Sequence, residues 1–208
     1  MQNWNNLYEK KGEFQKKPSQ KIFAAIQFFQ KNGAKKILDL GCGTGRHAQI
    51  LAENFEIFGC DNSAAAIKII QKKLGKKNFA ICEMTNLIYE NNFFDGIFCN
   101  QVLQHGKIAE IKSAVAEIFR VLKNGGNLFL TTISDRHPKF LTGVEIEPRT
   151  KIDTDGVDGH VPHHFFSAAE IREILAKFKI LKLRHFFGKS EINPAKKMAA
   201  FEILAKKI

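Results

Sequence analysis

The sequence predicts an α/β fold: a single doubly wound, seven-stranded and mostly parallel sheet with an antiparallel last strand. Two observations carry this prediction. Strand-like apolar runs alternate with segments of helical period along most of the chain, which is typical of a parallel sheet covered by helices on both faces. The last two strand candidates are separated only by the polar turn GKSEINPA (188–195), which favours antiparallel pairing over a crossover.

The individual elements follow from periodicity and from end signals. Strands are predicted over 35–40, 56–61, 78–83, 94–100, 127–133, 179–187 and 197–207, and helices over 19–33, 44–54, 62–75, 109–123 and 167–178. Asn62 or Ser63 is available to cap the helix after the second strand, and Gly75 is a typical stop for it. Ser167 and Glu170 have the spacing of a capping box at the start of the last helix.

The chain is predicted to form one domain. A leading helical segment (1–34) precedes a cofactor-binding core (35–133), and a C-terminal helix and hairpin (167–208) end the chain. Between them lies a long substrate-facing insertion (134–166) in which periodicity fails. Irregular segments of this length in compact domains are usually functional lids or disordered.

Composition excludes several classes of protein. With 208 residues, 44% of them hydrophobic, the chain is long enough to bury a core. It has no apolar run of the roughly 18 to 20 residues that spans a bilayer. The first residues lack a basic start followed by an apolar block, so a cytoplasmic location is expected, without membrane contact. The net charge of +11 invites nucleic-acid binding, but the lysines fall as scattered doublets, which favours a solvated surface.

The stretch ILDLGCGTGRH (37–47) predicts a ligand site at the end of the first strand. Glycines at this position of a doubly wound sheet let backbone N–H groups approach a nucleotide-like ligand. Gly41, Gly43 and Gly45 are spaced by two, and Arg46 stands where a dinucleotide-binding motif would require glycine. Asp61 ends the second strand, where its carboxylate could accept hydrogen bonds from both hydroxyls of a ribose.

Five stretches in this region resemble the motifs of class I S-adenosylmethionine-dependent methyltransferases, in the correct order and spacing. They are ILDLGCGTGRH (37–47), GCDNS (59–63), CEMTNL (82–87), FFDGIFCNQVLQH (93–105) and RVLKNGGNLFLTT (120–132). The resemblance implies a Rossmann-like methyltransferase fold, S-adenosylmethionine as the cofactor, and methyl transfer as the activity.

The same resemblance implies roles for individual residues. Asp39 and the backbone of Gly41, Gly43 and Gly45 would face the methionine part of the cofactor. Asp61 and Asn62 would bind the ribose, Glu83 the adenine amino group, and Met84 would line the adenine ring. Asn100 and Gln101 would lie beside the sulfonium. Many relatives carry Asp where this chain has Glu83.

Histidines and arginines are the candidates for the acceptor side. A general base is needed only if the acceptor must lose a proton, and His105, His163 and His164 are the candidates for it. Arg136, His137, Arg149 and His160 are predicted to contact the substrate, since arginine binds carboxylate and phosphate groups in a bidentate manner. Trp4 and Tyr8 could close over the cofactor as an aromatic lid.

No metal site is predicted. KIDTDGVDG (151–159) has closely spaced carboxylates but lacks the terminal Glu of a calcium loop. The four cysteines form no C-x-x-C pair, so they are expected to be small buried residues rather than zinc ligands or a disulfide framework.

The predicted function is methyl transfer to a small-molecule acceptor, because the fold is complete without an appended nucleic-acid module. The alternatives are an RNA (tRNA or rRNA) methyltransferase, which the basic charge favours, a non-catalytic S-adenosylmethionine-binding protein, and a nicotinamide-binding Rossmann protein. The oligomeric state is left open by the sequence.

Overall fold

A seven-stranded sheet forms the centre of the computed structural model, which describes residues 2–152, 161–190 and 195–208. The strands of the chain are β1 Lys36–Leu40, β2 Glu56–Asp61, β3 Phe79–Ile81, β4 Phe94–Asn100, β5 Leu122–Ile133, β6 Val144–Glu147, β7 Thr150–Ile152, β8 Pro162–His164, β9 Phe178–Lys189 and β10 Lys197–Lys207. The sheet has the order β3-β2-β1-β4-β5-β10-β9, and only β10 is antiparallel to its neighbours. The predicted fold class is confirmed.

Six α-helices accompany the strands in the described chain. They are α1 Gln2–Lys11, α2 Lys21–Lys31, α3 Ala48–Leu51, α4 Ala64–Leu74, α5 Ile108–Val121 and α6 Ala168–Ile174. Ser63 caps α4 by accepting a hydrogen bond of 3.1 Å from the backbone N–H of Ala66, and Gly75 ends it with φ 88°. None of these helices is long and apolar enough to cross a membrane.

The helix after the glycines is shorter than predicted. The sequence favoured a helix over 44–54, but α3 begins only at Ala48. Gly43 and Gly45 have φ values of 53° and 89°, which no right-handed helix contains. The glycine turn therefore continues to His47 and delays the helix.

Alternating side chains of the central strands build a core on each face of the sheet. Leu38 and Leu40 of β1 point into a cluster with α5 and α6, whereas Ile37 points into a second cluster with α2, α3 and α4. Ile97 and Phe98 of β4 divide in the same way. Both faces are thus covered, as a parallel sheet requires.

The insertion is more ordered than its sequence predicts. A short 3-10 helix, Pro138–Leu141, leads into a separate three-stranded antiparallel sheet of order β6-β7-β8. The turn between β6 and β7 contains Arg149 at φ 62°, where glycine or asparagine would be the usual signal. Strands of three and four residues without such a signal are too short to be found by periodicity.

The predicted capping box at α6 is only half formed. The Ser167 hydroxyl accepts a hydrogen bond of 3.2 Å from the backbone N–H of Glu170. The Glu170 carboxylate does not return to Ser167; it lies 3.0 Å from Nε2 of His164 and 3.7 Å from Nε of Arg149. Glu170 therefore joins the last helix to β8 and to the β6–β7 turn.

The cysteine expectation is corrected for one pair. Cys60 and Cys82 form a disulfide, while Cys42 and Cys99 are buried free thiols. Cys82 follows β3, and its N–H donates a hydrogen bond to the carbonyl of Asp61 at the end of β2. This pairing brings the two Cα atoms to 5.7 Å across 22 residues of sequence, a proximity that the spacing of the cysteines did not reveal.

We expect Phe29→Ala to lower the free energy of unfolding by about 3 to 5 kcal/mol, because its ring is fully buried between α2 and the sheet. Phe23→Ala is the matched control on the same helix, since Phe23 is 50% exposed. Urea unfolding of both variants measures the difference. Equal midpoints would show that α2 does not pack on the sheet as described.

Candidate functional site

One cavity of about 1730 Å³ lies at the carboxyl ends of the parallel strands. It extends from the loops after β1, β2 and β3, past α1 and the insertion, to the tip of the β9–β10 hairpin. Pockets that hold a single small ligand usually measure about 300–1,000 Å³. The cavity therefore has room for a cofactor and an acceptor side by side.

The glycine turn forms one wall of this cavity. A Cβ atom on Gly41 would lie 2.4 Å from Cγ2 of Val102, and one on Gly43 would lie 2.7 Å from the hydroxyl oxygen of Tyr8. Side chains at these positions would therefore collide with Val102 and Tyr8, so the turn requires glycine here. Gly45 does not line the cavity; it packs against Ile70 of α4.

Asp39 is a buried carboxylate at the floor of the cavity, with 1% of its surface exposed. Burial raises its pKa to about 8; the charge of Arg46 opposes this shift and that of Asp61 adds to it. Its Oδ2 atom has no hydrogen-bond partner within the described ranges of the chain. A buried unpaired oxygen is costly, so this site fits a ligand that brings a cationic donor.

Asp61 holds the glycine turn in place. Its Oδ2 accepts a hydrogen bond from the backbone N–H of Gly43, and its Oδ1 accepts one from Ser63, both at 2.9 Å. Burial raises the pKa of the carboxyl. Each oxygen keeps a second lone pair for a ligand hydroxyl. The hydrogen bond from Asp61 to the glycine turn was not predicted from the sequence.

Asn62, Glu83 and Met84 lie together beside Asp61 in the cavity wall. Nδ2 of Asn62 donates a hydrogen bond of 3.4 Å to Oε2 of Glu83. An amide, a carboxylate and a thioether at one end of the cavity can contact both the polar edge and the face of a flat heterocycle.

A chain of polar side chains connects the ends of β4 and β5. The Thr131 hydroxyl donates to Oδ1 of Asn100 (2.8 Å) and accepts from the backbone N–H of Gln101 (3.2 Å). Nε2 of Gln104 donates to Oε1 of Gln101 (3.2 Å), and the Thr132 hydroxyl donates to Oε1 of Gln104 (3.1 Å). Gln104 and the two threonines were not predicted; the spacing Gln101-x-x-Gln104 was the available signal.

The first helix covers the cofactor end of the cavity. Oδ1 of Asn5 accepts hydrogen bonds from the backbone N–H of Ala65 (3.0 Å) and from the Ser63 hydroxyl (3.3 Å), which docks α1 on α4. Trp4 then packs edge-on against His105, with ring centroids 4.9 Å apart. Tyr8 reaches the glycine turn, and burial raises its pKa.

His163 and His105 face each other in the cavity, with ring centroids 4.7 Å apart. Nδ1 of His163 lies 3.0 Å from the carbonyl oxygen of Val161. A carbonyl only accepts, so in the neutral ring Nδ1 carries the hydrogen and Nε2 carries the basic lone pair. The imidazole is therefore held in a tautomer suited to a general base.

His137 is a third cavity histidine, and its pKa is lowered to about 4. Burial is the main cause, and the charges of Lys139 and His163 add to it. Nδ1 of His137 accepts a hydrogen bond of 3.1 Å from the backbone N–H of Lys139. The neutral ring therefore presents an N–H at Nε2 near neutral pH.

Other predicted residues are not brought to the cavity. Successive residues of a strand face opposite sides, so His164 points away from the cavity that His163 lines. The His164 side chain is 1% exposed, and it contacts the Thr150 hydroxyl (2.7 Å) and the Glu170 carboxylate. Arg149 approaches Glu170, and Arg136 is exposed; neither lines the cavity. His160 and the carboxylates of 153–158 lie outside the described residues.

Residues 38–130 match the family described as "Methyltransferase domain". The chain contains an S-adenosylmethionine-dependent methyltransferase domain. It is 26% identical over 140 residues to a trans-aconitate 2-methyltransferase of Variovorax paradoxus, covering 65% of this chain and 52% of that protein. It is 35% identical over 96 residues to a tRNA (carboxymethyluridine(34)-5-O)-methyltransferase of Arabidopsis thaliana, covering 46% and 23%.

A solved S-adenosylmethionine-dependent methyltransferase from Methanosarcina mazei has a similar fold. Its TM-score is 0.72 at 24% identity, with 83% of this chain and 92% of that chain covered. The chain spans about half or less of the length of the curated relatives that it matches. These comparisons identify the methyltransferase domain but not its methyl acceptor.

The residues of the methyltransferase domain fit S-adenosylmethionine. The unpaired Oδ2 of buried Asp39 suits an ammonium group, and Gly41 and Gly43 line the cavity without side chains. The remaining lone pairs of Asp61 suit hydroxyl groups. Within the part of the chain that the structure describes, no three metal-ligating side chains converge.

We expect Asp39 to lower the stability of the ligand-free domain as the pH rises from about 4 to about 8, so that the wild type loses stability relative to Asp39→Asn across this range. The folded-state pKa of about 8 lies above the ordinary value of 3.8, so the folded protein binds the extra proton in this window and alkali favours unfolding. Urea unfolding at several pH values measures the effect.

Asp95→Asn is the control for this prediction. Hydrogen bonds from Lys123 and from the backbone N–H groups of Lys35 and Lys36 lower the pKa of Asp95, in spite of its partial burial. Its effect on stability therefore falls below this pH window. Between about pH 5 and 8 the pH dependence of stability in Asp95→Asn should match that of the wild type, and the same dependence in Asp39→Asn would contradict the assignment.

Proposed function

We propose that the domain transfers the methyl group of S-adenosylmethionine to a small-molecule acceptor. One observation carries this proposal: the buried carboxylate of Asp39 and the facing rings of His105 and His163 line the same cavity, which α1 and the insertion cover. An acceptor beside the histidines would then meet the cofactor inside the domain.

The residues at the cofactor end of the cavity fall into three groups according to their chemistry. We assign the α-ammonium group to Asp39, the ribose hydroxyls to Asp61, and the adenine to Asn62, Glu83 and Met84. Asn100 and Gln101 lie between this end and the histidines, at the carboxyl end of β4. When bound, S-adenosylmethionine supplies an electrophilic methyl group on a sulfonium centre.

Histidine 163 is the candidate general base. Its basic Nε2 atom is defined by the hydrogen bond of Nδ1 to the Val161 carbonyl, and it would take the proton of an acceptor hydroxyl or ammonium group. The edge of His105 keeps the ring of His163 in its orientation. His137, neutral at pH 7, would donate a hydrogen bond to the acceptor from Nε2. Positioning of the two reactants supplies the remaining catalytic effect.

His164, Arg136 and Arg149 do not enter this proposal. His164 links β7, β8 and α6 through Thr150 and Glu170, so we assign it a structural role. The arginines lie outside the cavity wall. We assign the role of cations on the acceptor side to the lysines that line the cavity, among them Lys139.

Methyl transfer to RNA is the second candidate, supported by the net charge of +11 and by the tRNA methyltransferase among the relatives. An RNA methyltransferase would lose affinity for RNA steeply as the salt concentration rises, because binding of the phosphates releases counterions. A nicotinamide-binding protein would bind NAD, and a non-catalytic protein would bind S-adenosylmethionine without turnover. Calorimetric titrations with RNA, NAD and S-adenosylmethionine at two salt concentrations, together with an assay of S-adenosylhomocysteine formation, separate the four functions.

We expect Asp61→Asn to weaken S-adenosylmethionine binding by at least about tenfold, because charge-assisted hydrogen bonds of ~1.5 to 3 kcal/mol are reduced and the Gly43 turn loses its charged partner. Isothermal titration calorimetry gives the dissociation constant. Asp95→Asn, outside the cavity, is the control and should bind normally. An unchanged constant in Asp61→Asn would remove Asp61 from the cofactor site.

We expect His163→Ala to lower kcat by at least about a hundredfold for an acceptor that must lose a proton, since general bases contribute about 10²–10⁴. Affinity for S-adenosylhomocysteine should stay the same. Formation of S-adenosylhomocysteine from a panel of phenols, acids and amines measures turnover.

The neighbouring variant His164→Ala is the control for the base assignment. It should lower thermal stability, because it removes a buried link to Thr150 and Glu170, but retain kcat at temperatures where the protein is folded. Equal turnover losses in both variants would show that the packing of β8, and not a base at Nε2 of His163, sets the rate.

A further inference from the structure

Three carboxylates and three lysines of the cavity wall lie toward opposite edges of the sheet. Asp39, Asp61 and Glu83 lie at or just beyond β1, β2 and β3, in one half of the strand order. At the other edge, the tip of the β9–β10 hairpin contributes three lysines to the wall: Lys189, Lys196 and Lys197. The central strands β4 and β5 stand between the acidic end and this lysine group.

Two members of the lysine group stand directly opposite each other. Lys189 of β9 pairs in register with Lys197 of β10. Like charges in directly opposed positions of neighbouring antiparallel strands destabilise the pair. Both side chains are exposed, and neither forms an ion pair with a carboxylate of the described chain.

The buried carboxylate of the hairpin does not compensate these lysines. Glu202 of β10 lies 2.8 Å from Arg184, 3.1 Å from Lys182 and 3.4 Å from Lys21, so it is already surrounded by three cations. These contacts hold the pKa of Glu202 below its usual range, against the effect of burial. Among the residues that the structure describes, the lysine group is therefore a local excess of positive charge at the mouth of the cavity.

The region between the two ends suits a molecule with a negative group. His137 and His163 line the same cavity, and His137 presents a neutral N–H. An acceptor whose reacting atom meets His163 would extend its far end toward Lys189, Lys196 and Lys197. Lysine ammonium groups bind carboxylates and phosphates as point charges, without the planar geometry that arginine demands.

This inference rests on the proposed function: we propose that the methyl acceptor is a small molecule carrying a carboxylate or phosphate group, bound at that group by Lys189, Lys196 and Lys197. The carboxylates of the first three strands face a cationic cofactor and the lysine group faces an anionic acceptor. A cavity with opposite charges at its two ends orients both ligands before reaction.

The test uses the full chain and two probes, citrate for carboxylates and inorganic pyrophosphate for phosphates. Each is titrated by calorimetry into wild-type protein, with and without saturating S-adenosylhomocysteine. The variant Lys189→Gln/Lys196→Gln/Lys197→Gln removes the lysine group. The control Lys72→Gln/Lys76→Gln/Lys77→Gln removes the same charge from exposed positions at and after the end of α4, outside the cavity wall.

We expect at least one probe to bind the wild type and the control alike, and the lysine-group variant to bind it at least about tenfold more weakly, since charge-assisted contacts are lost. Affinity for S-adenosylhomocysteine should be the same in all three proteins. The uncharged trimethyl ester of citrate should not bind. The stronger of the two probes identifies the anionic group of the acceptor.

Several outcomes would overturn the proposal: binding of neither probe, equal binding by the lysine-group variant, or equal binding of the ester. Displacement of the probe by a short single-stranded RNA with a steep salt dependence would assign the lysines to a nucleic acid instead. Absence of S-adenosylhomocysteine binding would refute the proposed function, whereas loss of probe binding alone refutes only the acceptor class.

Discussion

The carboxylate of Asp61 connects the parts of the molecule on which the site depends. One oxygen holds the glycine turn through Gly43, and the other holds the start of α4 through Ser63. The Ser63 hydroxyl in turn caps α4 and donates a hydrogen bond to Asn5 of α1. A single buried side chain therefore links the first strand, the second strand and the helix that covers the cavity, so that cofactor contacts and local folding depend on the same hydrogen bonds.

Burial of acidic groups at this end has a cost that a ligand can remove. Asp39 and Asp61 both have raised pKa values because burial disfavours their charged forms. A cationic ligand restores the ionised state of Asp39 and occupies its unpaired oxygen. Binding then stabilises the folded protein by an amount set by the ligand's concentration and its dissociation constant.

The sequence predicts those parts of the protein in which apolar residues follow a regular period or in which a local signal, such as a run of glycines, is present. The main sheet follows from alternating apolar runs, and the turn at Gly41 and Gly43 follows from its glycines. The short helix α3 was overestimated, because helical periodicity around Leu51 does not report the positive φ of Gly45. The strands of the insertion escaped prediction, because each is only three or four residues long.

The roles of neighbouring histidines required three-dimensional information. His163 and His164 look equivalent in the sequence, but the two-residue period of β8 sends one to the cavity and the other to Thr150 and Glu170. The ring of His105, 58 residues earlier in the numbering (163 − 105), reaches His163 because the segment after β4 lies beside β8, where the backbone N–H of His164 donates a hydrogen bond to the carbonyl of Gln104. Tertiary pairings of this kind leave no local pattern.

The strand order itself produces the polarity of the cavity. Strands β1 and β2 each carry a carboxylate in their last two residues, β3 is followed two residues later by Glu83, and the three strands form one half of the sheet. The hairpin that completes the other edge returns the chain antiparallel, which brings the end of β9 and the start of β10 to the same rim. Lysines at the hairpin tip therefore face the cavity from the side opposite the acids. An antiparallel last strand thus adds to a nucleotide-type site a second wall of opposite charge, at which an acceptor can be selected independently of the cofactor.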